Sequence, residues 1–200
     1  MRVPTSAPSS SPTALALPSR LPGLRWENFY GVQLPAAPVA GPHHQRNGLA
    51  WGFADTPAGA LLAAVNIGVR ASAQWGPGIF GPTIRGQVTG LGAGALLASC
   101  RASYTQEARA AGVVGGRPLG RGYATEQAFR WVAYTPADAA VDIVSAGPGP
   151  QGSTVRAVTR IEVLWIRGDW RAVAPSGGDW GNSAAPVTSL RGYILFPGQS

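Results

Sequence analysis

A glycine-rich loop is the first of the motifs in this chain that could do chemistry. Gly90-Leu-Gly-Ala-Gly-Ala95 has the glycine spacing of a dinucleotide-binding loop. That function also needs a βαβ unit with an acidic residue ending its second strand. No second strand follows on schedule, and Glu107 still lies in a helical segment. The motif therefore predicts a flexible loop and close helix packing, with no bound cofactor.

Two further motifs have ordinary structural explanations. Arg167-Gly-Asp169 is the tripeptide that integrins recognise, but here it lies between two tryptophan-bearing strands, where Gly-Asp is common turn chemistry. His43 and His44 are the only histidines, and they lie in a Gly/Pro loop without carboxylates or thiols at ligand spacing. We expect a turn at the first and exposed loop residues at the second, with no metal site.

The sequence offers no convincing catalytic set. Neither Gly-x-Ser-x-Gly nor His-Glu-x-x-His occurs. Asp138 and Asp142 are the carboxylates that could enter a sheet cavity, but Asp138 fits a turn, and Asp142 alternates with apolar neighbours and is predicted to face solvent. Cys100 is alone, which excludes an intrachain disulfide, and it is predicted to be a core residue. No catalytic residue is predicted.

The charge is strongly basic but dispersed. All 16 basic residues are arginine against nine acids, which gives a formal net charge of +7. The arginines form no cluster of four or more and no aromatic-interleaved ribonucleoprotein motif, so we predict a diffusely basic surface without a specific nucleic-acid partner. The sequence shows no run of 18 apolar residues and no signal-peptide pattern. It predicts no membrane-spanning segment and no export signal, and any membrane association would be indirect.

The chain is predicted to form one domain with two tails. Residues 1–23 are rich in Pro and Ser and predict a disordered leader; residues 24–196 form a single α+β domain; and residues 197–200 are a tail. A chain of 200 residues buries about 70% of its surface on folding, which is enough to be stable without disulfides.

Two helices are predicted. The clearer one follows Gly52, where Asp55 or Thr56 can act as N-cap and Pro57 occupies the first helical position. Its Leu and Val residues share one broad face, and its small residues suit close packing on a sheet. A weaker helical segment covers residues 92–111, and a chain break is expected at 74–82.

The strand predictions concentrate in the second half of the chain. Trp26–Leu34 is predicted as a first strand and 36–48 as a loop. Later strands are expected at 127–134, 139–146, 155–166 and 170–174, with turns at 135–138 and 168–169 and a short edge strand at 193–196. These patterns predict a curved, mostly antiparallel sheet with one or two helices packed on it.

Several segments together resemble one known family. They are Trp26 to Pro35, Gly41-Pro42, Gly52 to Ile67, Phe129 to Val141, Gly168 to Trp170 and Ser189 to Tyr193. The pattern is similar to an uncharacterised actinobacterial domain family encoded on integrative and conjugative elements. Its members usually carry an N-terminal transmembrane helix, a Pro/Ser/Thr-rich linker and an external domain. Their architecture is similar to the nuclear-transport-factor-2-like (NTF2-like) cone of TcpC conjugation proteins and type IV secretion assembly factors.

The resemblance implies a non-catalytic scaffold of a conjugation or type IV secretion system. It would bind other subunits of the transfer machine, with some self-association, on the extracytoplasmic face of the membrane. We expect the contact residues to be Trp165, Arg167 and Trp170 at the last hairpin.

Two other functions stay open at this point. One is a small-molecule-binding protein or enzyme that uses the apolar cavity of a cone-shaped fold, with Tyr104, Tyr134 and Asp142 lining it. A soluble DNA-binding accessory is the other, and steep salt dependence of DNA affinity would support it.

Overall fold

The computed structural model describes residues 17–198, which form an α+β domain. Its first half contains short strands and two of the three helices: β1 (Arg25–Phe29), β2 (Val32–Ala36), β3 (His44–Arg46), β4 (Leu49–Trp51), α1 (Pro57–Arg70), α2 (Pro77–Gln87) and β5 (Val88–Thr89). Its second half adds one helix and the long strands: α3 (Ala93–Ala111), β6 (Thr125–Tyr134), β7 (Asp138–Pro148), β8 (Thr154–Ile166), β9 (Asp169–Val173), β10 (Ala185–Pro186) and β11 (Ile194–Leu195).

Nine strands of the described residues form one strongly curled sheet, a half-barrel. The order is β1-β2-β6-β7-β8-β9-β5, with β11 beside β6 and β10 beside β8. The pairs are antiparallel except β2 with β6 and β5 with β9. Two irregularities in β6, next to Gln127 and Val132, add bend and twist. The predicted fold class, a curved and mostly antiparallel sheet with packed helices, is confirmed at this level.

Helix α1 lies against the concave face of the sheet and is buried on nearly every side. Thr56 is its N-cap, accepting a hydrogen bond from the Gly59 amide at 3.1 Å, and Pro57 begins the helix as predicted. Gly68 lets the helix approach the sheet, because a Cβ there would overlap Ile161 Cδ1. The sequence predicts one apolar face on this helix, but the buried surface is wider than that face, because the sheet, β4 and α2 together surround the helix.

The predicted chain break at 74–82 is wrong in its second half, where α2 forms. Pro77 occupies its first turn, and Pro82 is tolerated inside it. The preceding Trp75 is fully buried and donates its indole N–H to the Val69 carbonyl at 2.7 Å. Helix α3 confirms the predicted second helix and ends at Gly112, which has a left-handed φ of 67°.

Two hairpins replace predicted single elements in the first half. The run Trp26–Leu34 is not one strand, because Tyr30 and Gly31 both have positive φ and turn β1 back onto β2. The predicted loop at 36–48 contains most of a second hairpin, β3–β4, which turns at Asn47 and Gly48. Such two-residue turns match the natural twist of paired strands.

The C-terminal segment crosses the outer face of the sheet. It pairs with the edge of β8 through β10 and with the opposite edge of β6 through β11, so residues 187–193 pass over β7. Val187 donates its amide to the Arg156 carbonyl at 3.0 Å, and the Tyr193 ring lies 4.7 Å from the Arg130 guanidinium. We call residues 184–196 the outer strap.

The predicted leader and tail both meet the domain where the structure describes them. Leu21 is buried, and the Trp131 indole donates to the Pro18 carbonyl at 3.3 Å. The Trp26 indole donates to the Pro197 carbonyl at 2.9 Å. The packed part of the chain therefore extends beyond 24–196, while residues 1–16 and 199–200 lie outside the described residues.

Candidate functional site

The three predicted contact residues lie together at the β8–β9 hairpin, but they differ in exposure. Trp165 and Trp170 are cross-strand partners with ring centroids 5.3 Å apart, as the sequence predicts. Arg167 is exposed in the turn and Trp165 is half-buried. Trp170 is fully buried and donates its indole N–H to the Ala54 carbonyl at 2.9 Å. Trp170 is thus a packing residue that supports the other two and offers no surface to a partner.

Asp169 fixes this hairpin to the start of the α1 region. Its carboxylate accepts hydrogen bonds from the backbone amides of Gly52 at 2.9 Å and Phe53 at 3.0 Å. The acid of the Arg-Gly-Asp tripeptide is therefore engaged within the domain, which agrees with the predicted turn. The β6–β7 turn lies alongside, since the Trp165 amide donates to the Ala137 carbonyl at 2.8 Å.

Partly exposed aromatic side chains continue from this hairpin across the same end of the domain. The Tyr134 ring lies 6.5 Å from Trp170 and 6.0 Å from Trp131. Trp51, 36% exposed, stacks on His44 with centroids 5.5 Å apart, directly before the Gly52 amide that Asp169 holds. We call the surface formed by Trp51, Trp131, Tyr134, Trp165 and Arg167 the aromatic end.

Burial has the largest effect on the pKa of Tyr134, which lies at this end of the domain. Desolvation raises the pKa of its phenol, and the nearby negative charge of Asp55 raises it further. Tyr134 therefore stays uncharged and acts as a hydrogen-bonding, amphipathic ring, the type of side chain that is enriched at protein interfaces.

A pocket of ≈ 290 Å³ lies towards the opposite end of the sheet, between its concave face and the C-terminal half of α1. Its apolar walls include Val32, Val65, Val69, Ile143 and Ile161. Its polar lining consists of Ser72, Gln74, Glu126, Ser145 and Thr159, and Trp180 closes one side. The pocket thus combines an aliphatic wall with a small group of hydroxyl, amide and carboxyl side chains.

Glu126 is the unusual member of that group. It is 3% exposed, and the Ser145 hydroxyl donates to its Oε2 at 2.6 Å. Burial raises the pKa of the Glu126 carboxyl to about 7, against the opposing effect of the Ser145 hydrogen bond. Within residues 17–198 it has no ion-pair partner. The pocket therefore contains a carboxyl group that changes its charge near neutral pH.

The sequence did not identify this carboxyl, and the residues proposed for a cavity do not meet. Tyr104 lies on α3 and donates to the Arg117 carbonyl at 2.8 Å, Tyr134 belongs to the aromatic end, and Asp142 is on the outer face. Glu126 directly precedes the predicted strand start at residue 127. Its pairing with Ser145 on β7 follows from strand register, which the sequence pattern does not show.

Asp142 was expected to face solvent, and this prediction is wrong. Its side chain is 5% exposed, on the outer face of β7. Arg130 donates to it at 2.7 Å from β6, and Arg160 donates at 2.8 Å from β8. Burial alone would raise the pKa of Asp142, but the hydrogen bonds from Arg160 and Arg130 outweigh it and hold the pKa below its usual value.

The remaining motifs have structural roles. The Gly90–Ala95 segment leads from β5 into the first turn of α3, and a Cβ on Gly92 would lie 2.5 Å from the Pro175 carbonyl oxygen, so the glycine is needed for packing. A ring nitrogen of His43 lies 3.1 Å from the Pro38 carbonyl oxygen. Cys100 is buried, and burial, with Asp179 contributing, raises the pKa of its thiol to about 11.

Residues 17–198 lack two kinds of feature that would point to a function. None of their helices combines the length and the apolar character needed to cross a membrane. No group of three or more His, Cys, Asp or Glu side chains in that part of the chain is arranged to hold a metal ion.

Comparison with known proteins gives one family. The chain matches the family described as a domain of unknown function (DUF8175) over residues 2–195, which is nearly its whole length. No curated protein and no solved structure matches it. Because the match covers far more than half of the sequence, the chain belongs to the DUF8175 family.

Proposed function

We propose that this protein is a non-catalytic assembly component of a conjugation or type IV secretion system, which binds another subunit through its aromatic end. The observation that carries the proposal is the grouping at one end of Trp51, Trp131, Tyr134, Trp165 and Arg167. Tryptophan, tyrosine and arginine are the residues most enriched among those that dominate binding energy at protein interfaces.

The aromatic end is rigid enough to serve as a preformed contact surface. Asp169 holds the β8–β9 turn against Gly52 and Phe53, and the buried Trp170 ring packs edge-to-face against its cross-strand neighbour Trp165. A surface whose side chains are already positioned loses little conformational entropy when a partner binds.

Charge gives the expected character of the partner. Arg167 is exposed in the β8–β9 turn, and the protein as a whole carries a net charge of +7. A partner with an acidic rim around an apolar centre would be attracted by this end and held in register.

The role in a transfer machine and the finer fold assignment both come from the family resemblance. In this proposal the half-barrel with α1 in its concave face is an NTF2-like cone of the TcpC type, and the partner is another subunit of the same machine. The curled antiparallel sheet supports this assignment.

Gene deletion with complementation tests the proposed function. We expect the frequency of DNA transfer from donor cells to fall on deletion of the gene and to recover with the wild-type gene. A gene carrying Trp165→Ala and Arg167→Glu should fail to restore transfer although the protein accumulates normally. An unchanged frequency after deletion would refute the role in transfer.

The matched control for that experiment is Val155→Ala. Val155 is 50% exposed near the β7–β8 turn, at the opposite end of the sheet from Arg167. This variant should restore transfer fully. Equal loss in both variants would show a general requirement for stability and would contradict the specific role of the aromatic end.

A further inference from the structure

The Glu126 pocket is separate from the aromatic end and has features of a ligand site. It lies between α1 and strands β6, β7 and β8, and its volume of ≈ 290 Å³ is close to the lower limit for small-molecule sites. Glu126 lines it with a carboxyl that accepts one hydrogen bond, from Ser145. A buried carboxyl normally has more partners than this, because desolvating it is costly.

The charges around the pocket indicate the sign of the missing partner. Glu126 is the one ionisable side chain among the described residues that line it. In a protein with 16 arginines and nine acids, no arginine compensates this acid. A ligand with a positive charge would supply the ion-pair partner that Glu126 lacks among the described residues.

The other polar side chains that line the pocket are uncharged and suited to the same ligand. Ser145 from β7 and Thr159 from β8 offer hydroxyl oxygens, and Gln74 offers an amide oxygen. An ammonium group has three N–H donors and no acceptor, so carboxylate and hydroxyl oxygens together can satisfy it. The body of the ligand would contact the aliphatic wall.

The charged groups on neighbouring elements are directed elsewhere. Arg70 of α1 donates to the Gly48 carbonyl at 3.0 Å, and Arg156 of β8 donates to Gln127 Oε1 at 2.7 Å. Asp179, which precedes Trp180, accepts a hydrogen bond from the Gly181 amide at 2.8 Å. The proton on Glu126 therefore responds chiefly to burial, to Ser145 and to whatever occupies the pocket.

We propose that this pocket binds a small organic amine, an alkyl or arylalkyl ammonium ion, with the ammonium group paired to Glu126 and the apolar body against Val65, Val69 and Ile161. Binding pairs the ammonium with ionised Glu126, so a protonated Glu126 must release its proton to solvent when the ligand enters. The ligand competes with a proton for the same carboxyl, which makes affinity depend on pH.

Calorimetric titration with 2-phenylethylammonium and its neutral counterpart 2-phenylethanol tests the proposal. With a carboxyl pKa of about 7, the affinity for the ammonium probe should rise about tenfold between about pH 6 and about pH 8. At about pH 8 the alcohol should bind less tightly than the ammonium probe, and its own affinity should not rise between about pH 6 and about pH 8. This comparison uses the wild-type protein alone, so it does not depend on any variant folding.

Two variants complete the test. Glu126→Gln should lower affinity for the ammonium probe at least tenfold at about pH 8, the range expected for losing one buried charge pair. Glu162→Gln, at an exposed position on the outer face of β8, should leave it unchanged. Three results would overturn the proposal: equal affinity for both probes, tighter binding at low pH, or no saturable ammonium binding up to about 10 mM.

Discussion

Replacing Glu126 by glutamine should remove the loss of stability that this carboxyl causes as the pH rises. Glutamine has the shape of glutamate and can still accept the hydrogen bond from Ser145 Oγ, but it has no proton to lose. In the wild-type protein the folded state raises the pKa of Glu126 from 4.5 to about 7. The folded state therefore binds a proton more tightly than the unfolded state does.

This difference in proton affinity sets the sign and the size of the pH dependence of the free energy of unfolding. A carboxyl with a raised pKa stabilises the fold fully below the unfolded value, and that contribution is lost as the pH rises through the folded value. Between about pH 5 and about pH 8 the wild-type free energy of unfolding should fall by about 2 to 3 kcal/mol relative to Glu126→Gln. Above that range the difference should stay constant.

Urea unfolding of both proteins at about pH 5 and about pH 8 measures this difference. All other ionisable groups occur in both proteins, so their contributions cancel in the comparison. Glu162→Gln is the control and should show the same pH dependence as wild type. A difference between wild type and Glu126→Gln that is equal at both pH values would refute the argument that Glu126 is buried and protonated.

Two further predictions concern packing and charge. Asp142→Asn should lower the free energy of unfolding by about 1 to 3 kcal/mol, because two arginines lose a buried carboxylate partner but remain about half exposed. Gly59→Ala should destabilise by about 1 to 3 kcal/mol, because a Cβ there would overlap the Ala54 backbone carbonyl oxygen, whereas Gly94→Ala in α3 has open space and should stabilise by about 0.5 to 1 kcal/mol. Urea unfolding of the three variants measures all of these effects.

Local signals in the sequence predicted the elements that depend on local chemistry. Thr56 and Pro57 mark the start of α1, and the predicted turn at 135–138 forms where β6 meets β7. The Asn47-Gly48 pair is a strong hairpin signal of the same kind. Its strands are only three residues long, too short to show alternation, so the sequence pattern predicts a loop there.

The sequence does not predict helix α2, because its residue types disfavour a helix and its stability comes from contacts with the rest of the domain. Proline and glycine residues occupy much of Pro77–Gln87, which lowers its intrinsic helix propensity. Packing of Phe80 and Ile84 in the core compensates for this cost. Such a helix depends on tertiary contacts that a local pattern does not contain.

The environments of the two important carboxylates could not be predicted for a related reason. Alternation along β7 correctly places Asp142 on the face away from α1, but the outer strap and two arginines from neighbouring strands bury it there. Glu126 lies next to an irregularity in β6, where simple alternation fails. Both results depend on strand register and on segments far apart in the sequence.

Site-specific photo-crosslinking in donor cells tests the central claim, that the aromatic end contacts another subunit of a transfer machine. A photoreactive amino acid replaces Arg167 in one strain and Val155 in a control strain, and crosslinked proteins are identified by mass spectrometry. We predict one discrete product from position 167, formed with a subunit encoded beside the transfer genes, and none with that subunit from position 155. Crosslinks to that subunit in equal yield from both positions, or none from position 167, would contradict the account.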